Sequence, residues 1–327
     1  LNQAVASLNP NNQMKKFSIV ILIAAVVGIT SCEEPTPAAG DNYSSVQDFF
    51  SQHAPTMQTY TINGTTGGSF TTPQGTVVTV PPNAFVTQAS VPVTGDVTIE
   101  FKDIYKKSDM LFADMPTTTI SGNPLKSGGE FFIKASFNDT AVLLAPLKKI
   151  IVTQPAGLTG NDAVNIMRTF VAIQDTAGMV WDVPPIDTVC NYQAGSYVYS
   201  LYQFNSPADS GSWCNSDNST YFSAYPQTTL TLQHTNDSVV SYLTYNAQVF
   251  LVFTNISSMV HVYDNGTNFP YYYAPQGLPC TVVAVGVKDG KLYSSFVSII
   301  IGSNQTVNFT LGQTTTAEFK TQLDALN

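Results

Sequence analysis

Glu130-Phe131-Phe132-Ile133-Lys134-Ala135-Ser136-Phe137 reads as a β-strand, rich in aromatic and β-branched side chains and preceded by glycines at 128 and 129. The same signature begins at Met57, where the pattern turns to a period of two. Thr76-Val77-Val78-Thr79-Val80, Val97-Thr98-Ile99-Glu100-Phe101 and Lys149-Ile150-Ile151-Val152-Thr153 are short runs of this kind, bounded by Gly, Pro and Asn. It returns after Thr228 in Thr229-Leu230-Thr231-Leu232, Gln248-Val249-Phe250-Leu251-Val252-Phe253 and Thr281-Val282-Val283-Ala284-Val285-Gly286-Val287, and continues through 296–301 and 306–311. Lys288-Asp289-Gly290-Lys291 predicts a hairpin, because Asp-Gly supplies the positive φ that a type I′ turn requires. Many short strands separated by turn signals predict an all-β protein, here two β-sandwich domains in tandem over 56–158 and 223–313.

The remaining segments are less regular. Residues 159–222 read as an irregular β connecting segment, with a hairpin over 171–181 turning near Ala177-Gly178 and a strand over 196–204. Ser44 to His53 carries a capping-type start and apolar Val46, Phe49 and Phe50 at helical spacing. It predicts a short helix packed on the first domain, at the end of a tether over 32–55. The tail, 314–327, holds a second short helix over 317–326.

The chain has 327 residues and a formal charge of −9, with 13 basic and 22 acidic side chains. Arg168 is the sole arginine. Such a balance argues against nucleic acid as a partner, since neutralising phosphates supplies much of that affinity. Few charges and abundant Thr, Ser, Asn, Val and Tyr fit an exported β-protein.

Met14-Lys15-Lys16-Phe17 opens a basic segment followed by an apolar run to Ile29. At about 13 residues the run suits a secretory signal and falls short of the roughly 20 needed to span a bilayer. Ile29-Thr30-Ser31-Cys32 resembles the lipobox of bacterial lipoproteins. That resemblance implies cleavage before Cys32 and acylation at its thiol, with 14–31 as signal peptide and 1–13 as an upstream extension. Stable anchoring takes more than one acyl chain, each buried CH₂ contributing about 0.8 kcal/mol. Glu33-Glu34 is similar to the surface-export signal of Bacteroidota lipoproteins. It implies an outer-membrane lipoprotein displayed at the cell surface, the alternative being a solvated linker facing the periplasm.

Gly67-Gly68-Ser69-Phe70 followed by Val77-Val78-Thr79-Val80-Pro81-Pro82-Asn83-Ala84-Phe85 resembles the opening of a ZU-five-type β-sandwich. Leu144-Ala145-Pro146-Leu147 is similar to that family's closing half. Thr94 to Ile99, Tyr105-Lys106-Lys107-Ser108-Asp109-Met110 and Ser127-Gly128-Gly129-Glu130 resemble uncharacterised Bacteroidota lipoproteins. Trp213-Cys214-Asn215-Ser216-Asp217 is similar to their Trp-x-Asn-Cys-Asp signature, with serine where the signature has cysteine. The second half resembles immunoglobulin-like or transthyretin-like accessory domains. These likenesses imply a fold and a location, and no activity.

With Cys32 acylated, Cys190, Cys214 and Cys280 remain. One disulfide, Cys190 to Cys214, is one reading, and three buried reduced thiols is the other. His53, His234 and His261 stand far apart, and no metalloprotease, redox-cysteine, nucleophile-elbow or phosphate-loop motif occurs. Glu100 and Glu130 read as solvated strand residues. Asp209, Asn215 and Asp217 offer oxygen donors of the kind calcium favours, but read as a plain polar loop. No metal, cofactor or catalytic residue is therefore expected, and the chain does not read as an enzyme. Aromatic side chains are the candidate ligand contacts: Tyr271, Tyr272 and Tyr273 on a loop or edge, with Trp181 and Trp213 in the irregular segment. Thr140, Thr176, Thr188 and Ser238 fit the Bacteroidota O-glycosylation pattern of Asp, then Ser or Thr, then an apolar residue. The expectation is a membrane-anchored, non-catalytic binding or adhesion module for a glycan or an envelope protein. A structural or accessory subunit of an outer-membrane complex is the alternative, and a hydrolase with an unrecognised site the third.

Overall fold

A computed structural model describes residues 41–159, 167–175, 178–183, 190–204, 211–235 and 246–327. The signal, Cys32, the acidic pair after it, Asp209, Thr176, Thr188 and Ser238 lie outside them. The described part is all-β in character, with three short helices.

In the first half the strands are β1 (Gln58–Asn63), β2 (Gly68–Thr71), β3 (Val77–Val80), β4 (Phe85–Val86), β5 (Asp96–Ile104), β6 (Lys126–Phe137) and β7 (Thr140–Ala141). They continue as β8 (Leu143–Leu144), β9 (Ile150–Pro155), β10 (Arg168–Asp175), β11 (Gly178–Asp182), β12 (Cys190–Gln193), β13 (Ser196–Leu201) and β14 (Gly211–Asn218). One sheet runs β1-β5-β6-β14-β10-β11, with β7 beside β6, and the other β12-β13-β9-β3-β2. Their facing side chains make one core: Ile99, Phe101, Phe131 and Ile133 from the first meet Val78, Val152, Tyr197 and Tyr199 from the second. Residues 159–222 are thus no connector. They supply β10, β11 and β14 to one sheet and β12 and β13 to the other, completing the sandwich begun at β1.

The second half holds β15 (Gln227–His234), β16 (Gln248–Phe253), β17 (Met259–Val262), β18 (Phe269–Pro275), β19 (Pro279–Lys288), β20 (Lys291–Ile300), β21 (Gln305–Phe309) and β22 (Gly312–Gln313). A sheet β18-β15-β21 packs on a sheet β17-β16-β19-β20-β22, burying Leu230, Leu232, Val249, Leu251, Val282 and Phe309 between them. Lys288 pairs with Lys291 across the turn, and Asp289 and Gly290 take φ of 51° and 77°, as the type I′ reading requires.

β19 is buried on both faces, because its sheet has a second covering layer. That layer is α1 (Val46–His53), α2 (Lys107–Phe112) and α3 (Thr316–Asp324), whose Phe49, Phe50, Phe112 and Phe319 meet Phe250, Val252, Val283 and Val285. The helix α1 forms as its sequence predicts, with Ser45 Oγ accepting from the Asp48 amide at 3.0 Å. Its docking differs: its apolar face lies on the second half's sheet and the other two helices, not on the first sandwich. Ahead of it, Asp41 accepts from the Thr316 amide at 3.1 Å and from Thr316 Oγ1 at 2.6 Å. The chain's entry is thereby fastened to the first turn of α3. All described residues belong to one compact unit.

Candidate functional site

The loop over 117–124 joins the two halves and builds the most promising cleft. Thr117 donates its amide to Met259 O at 2.7 Å, and Thr117 Oγ1 accepts from the Met259 amide at 2.9 Å. On the other flank the Trp181 amide donates to Thr118 O at 2.9 Å, and the Ile120 amide to Trp181 O at 3.1 Å. The loop then turns sharply. Gly122 holds φ +83°, and a Cβ there would meet Tyr273 Cε2 at 2.9 Å, so only glycine lets that ring lie against the turn. The Tyr271 hydroxyl donates to Gly122 O at 3.2 Å.

Beside this loop is a cleft of about 300 Å³. Ring and aliphatic surface from Phe170, Trp181, Phe222 and Ile120 alternates there with Asn123, Asp182 and Gln227. Gln227 Nε2 donates to Asn123 Oδ1 at 3.3 Å across one end. Thr119, Ser121, Ser219 and Ser223 add hydroxyls, so polar residues make up seven of the thirteen that line it and the cleft is richer in hydrogen-bonding groups than an apolar pocket.

The predicted aromatic contacts divide around it. Tyr271, Tyr272 and Tyr273 lie on β18, an edge strand, as read. The register against β15 slips by one between Thr228 and Leu230, a bulge that falls on Tyr272 and Tyr273. Tyr272 is 62 % exposed and Tyr273 37 %, whereas Tyr271 is buried and its hydroxyl is held well above the usual tyrosine range by that burial. Trp181 is a core residue whose Nε1 donates to Pro116 O at 2.8 Å, and only its edge reaches the cleft. Trp213 is half-buried elsewhere, against Phe132 and under the Lys102 ammonium 5.9 Å from its ring. Tyr273 and Trp181 therefore flank one loop, and Trp213 does not join them. The apolar and amide residues of 119–123 and 219–227 carried no motif that sequence reading could have found.

Cys190, Cys214 and Cys280 are free thiols, so the Cys190–Cys214 disulfide is not formed. Cys214 is on β14 and Cys190 on β12, in opposite sheets, and Cys190 Sγ meets Ser216 Oγ at 3.2 Å instead. Burial pushes the Cys190 thiol up to about 11 and the other two to about 12. Thr140 is exposed on β7.

A second group of polar residues was read as solvated and is not. Asn215 and Asp217 sit on β14, a strand rather than a loop, opposite Glu130 and Ser127 of β6. All four are buried. Ser127 Oγ donates to Asn215 Oδ1 at 2.8 Å, and Asn215 Nδ2 reaches Glu130 Oε1 at 3.4 Å. The register slips here because Gly128 and Gly129 form a bulge. Gly129 has φ +118°, and a Cβ on it would lie 2.7 Å from the Tyr105 ring. Glu100 is the ordinary case, half-exposed with Lys134 Nζ at 3.6 Å. Burial, and then the like charge of Asp217, hold the Glu130 carboxyl well above the usual range; burial does the same for Asp217. The equally buried Asp103 shows what a satisfied carboxylate looks like in this fold. Its Oδ2 accepts from Thr72 at 2.7 Å and from Thr76 at 2.6 Å.

Among the described residues no group of three or more His, Cys, Asp and Glu side chains is placed to hold a metal ion, and no helix is long and apolar enough to cross a membrane. No protein-family model, curated protein or solved structure matches this chain.

Proposed function

We propose that this chain is a lipid-anchored, non-catalytic binding module of the bacterial envelope, displayed at the outer-membrane surface, and that it takes a glycan in the cleft beside Tyr273. The observation that supports this most is the exposed pair Tyr272 and Tyr273, the second packed on Gly122 of the loop whose Ser121 and Asn123 line a cleft of hydroxyls and side-chain amides. Sugars offer flat C–H faces that stack on rings, and hydroxyls that pair with Asn, Gln and Asp. Asp182 is the lone charge among the described residues that line the cleft, which favours a neutral saccharide over an acidic one. Attachment rests on the resemblance of Ile29 to Cys32 to a lipobox. A protein partner, as in an accessory subunit, is favoured instead by Ile120 and Val183, 53 % and 54 % exposed at the cleft.

Two measurements test the reading. A glycan array probed with the chain from Glu33 onward is expected to show neutral saccharides retained. Tyr273→Ala should weaken that binding at least tenfold, which corresponds to about 1.4 kcal/mol. Retention of no saccharide, alongside stoichiometric co-purification of an envelope protein, would move the reading to the accessory subunit. Incorporation of labelled palmitate that disappears in Cys32→Ser tests the anchor.

A further inference from the structure

A second cavity, of about 230 Å³, lies where the start of α2 meets the turn after β16, and its lining carries a charge opposite to the chain's. The sequence has 13 basic side chains against 22 acidic ones. Among the described residues, however, the only charged side chains lining this cavity are Lys106 and Lys107. Lys106 is exposed and Lys107 buried, and neither forms an ion pair among the described residues. Lys107 Nζ donates to Phe253 O at 2.7 Å, which orients the ammonium without balancing its charge. Burial accordingly pushes its pKa down to about 8. A buried charge without a counter-charge is costly, and an anion in the cavity would supply one. Ser257, which also lines the cavity, has a buried hydroxyl without a hydrogen-bond partner. The surrounding elements are already fastened. Ser257 O accepts from the Ser127 amide at 2.7 Å, and Asn327 Oδ1 accepts from the Ser108 amide at 3.0 Å. The cavity is therefore preformed, as small-molecule sites usually are.

We infer that this cavity binds a phosphate monoester, with Lys106 and Lys107 balancing the phosphate and Leu158 and Ile256 covering the organic group. A phosphate monoester carries nearly two negative charges at neutral pH, which two ammonium groups match and a single carboxylate would not. Lysine binds phosphate as a point charge and needs no planar fork. A cavity of about 150 Å³ holds benzene, so this one has room for a ring-sized group as well as a phosphate. The ester is either a soluble phosphorylated compound or a lipid with a terminal phosphate, the recognised chemistry being the same. The site shares no residue with the cleft beside Tyr273 and does not depend on the glycan reading.

Calorimetric titration of the full-length chain in non-ionic detergent at pH 7.5 tests this. Phenyl phosphate should bind saturably at one site per chain, benzoate at least tenfold more weakly, and uncharged benzamide not at all. Lys106→Gln should weaken phenyl phosphate at least tenfold, and Leu158→Glu, which sets an acid in the lining, should abolish its binding. Both side chains reach solvent, so both variants should keep the Tm of the parent chain. A second measurement uses the unaltered chain. Phenyl phosphate should slow reductive methylation of Lys106 severalfold and leave the exposed Lys149 unaffected, as read by peptide mass spectrometry. Glucose 6-phosphate and dihexanoyl phosphatidic acid separate the two sources, the tighter of them marking the soluble ester or the lipid. The inference is overturned if phenyl phosphate does not bind at millimolar concentration, or if benzamide binds as tightly. Unchanged binding by both variants, or equal slowing at Lys106 and Lys149, would also sink it.

Discussion

Gly129 is the residue at which the first sandwich is least forgiving. Its φ of +118° is closed to most side chains, and the Tyr105 ring occupies the place a Cβ would take. Gly129→Ala should cost about 2–4 kcal/mol in urea unfolding, combining backbone strain with overpacking. His261 sets a different constraint. It stacks on Phe250 at 4.6 Å between ring centroids, and burial pushes its pKa from 6.5 down to about 4. The unfolded chain therefore takes up the proton first, and this residue's contribution to stability is lost as pH falls from about 6.5 to 4. His261→Gln should flatten the stability profile in that window and leave it unchanged above pH 7. Thiol chemistry is equally checkable. With Cys32→Ser in place, the buried Cys214 and Cys280 should resist a disulfide-exchange reagent until the chain is unfolded, while the half-buried Cys190 should be the first of the three to react. The buried acids were the residues least legible in sequence. A Glu at the head of a strand or an Asp after Asn-Ser reads as solvent-facing, and their burial follows only from the pairing of β6 with β14 inside the fold.

At the scale of elements, most strands were legible because period-two runs between Gly and Pro are a local property. β16 spans Gln248–Phe253 and the Asp-Gly hairpin closes at the register its turn dictates. Docking is not local, and there the reading went astray. The helix α1 was legible from its cap and its two phenylalanines, but nothing in Val46, Phe49 or Phe50 names the surface they bury against. Phe49 meets Tyr43, Phe50, Phe112 and Phe319 in edge-on and tilted contacts with centroids 4.9–5.9 Å apart. Phe49→Ala should cost about 3–5 kcal/mol, and Ser45→Ala about 1 kcal/mol through the lost cap, both read from urea midpoints. The strands over 168–218 were harder to place because polar residues such as Asn215 and Asp217 interrupt their alternation. Their partners outside that stretch, β6 and β9, lie back in the sequence.

Across the whole molecule, two sandwiches were foreseen but their dependence on one another was not. The outer face of the β16–β19 sheet carries Phe250, Val252, Met259, Val283 and Val285, and α1 and α2 help to cover it. Residues 223–327 expressed alone would expose that face, so the fragment should aggregate while the chain from Asp41 stays soluble; sedimentation of the two tests it. The loop over 117–124 adds a second seam, tied by Thr117 to Met259 and by Tyr271 to Gly122.

The Asp41–Thr316 clasp sets how tension would travel. A pull applied upstream of Asp41 reaches Thr316 before it reaches any strand, so the load is shared at once between the first and last helices. Both sit on the same aromatic patch, which must be sheared as a block before either sheet begins to unravel. Tension entering at Asp41 is therefore borne first by the helical layer and only then by the strands beneath it.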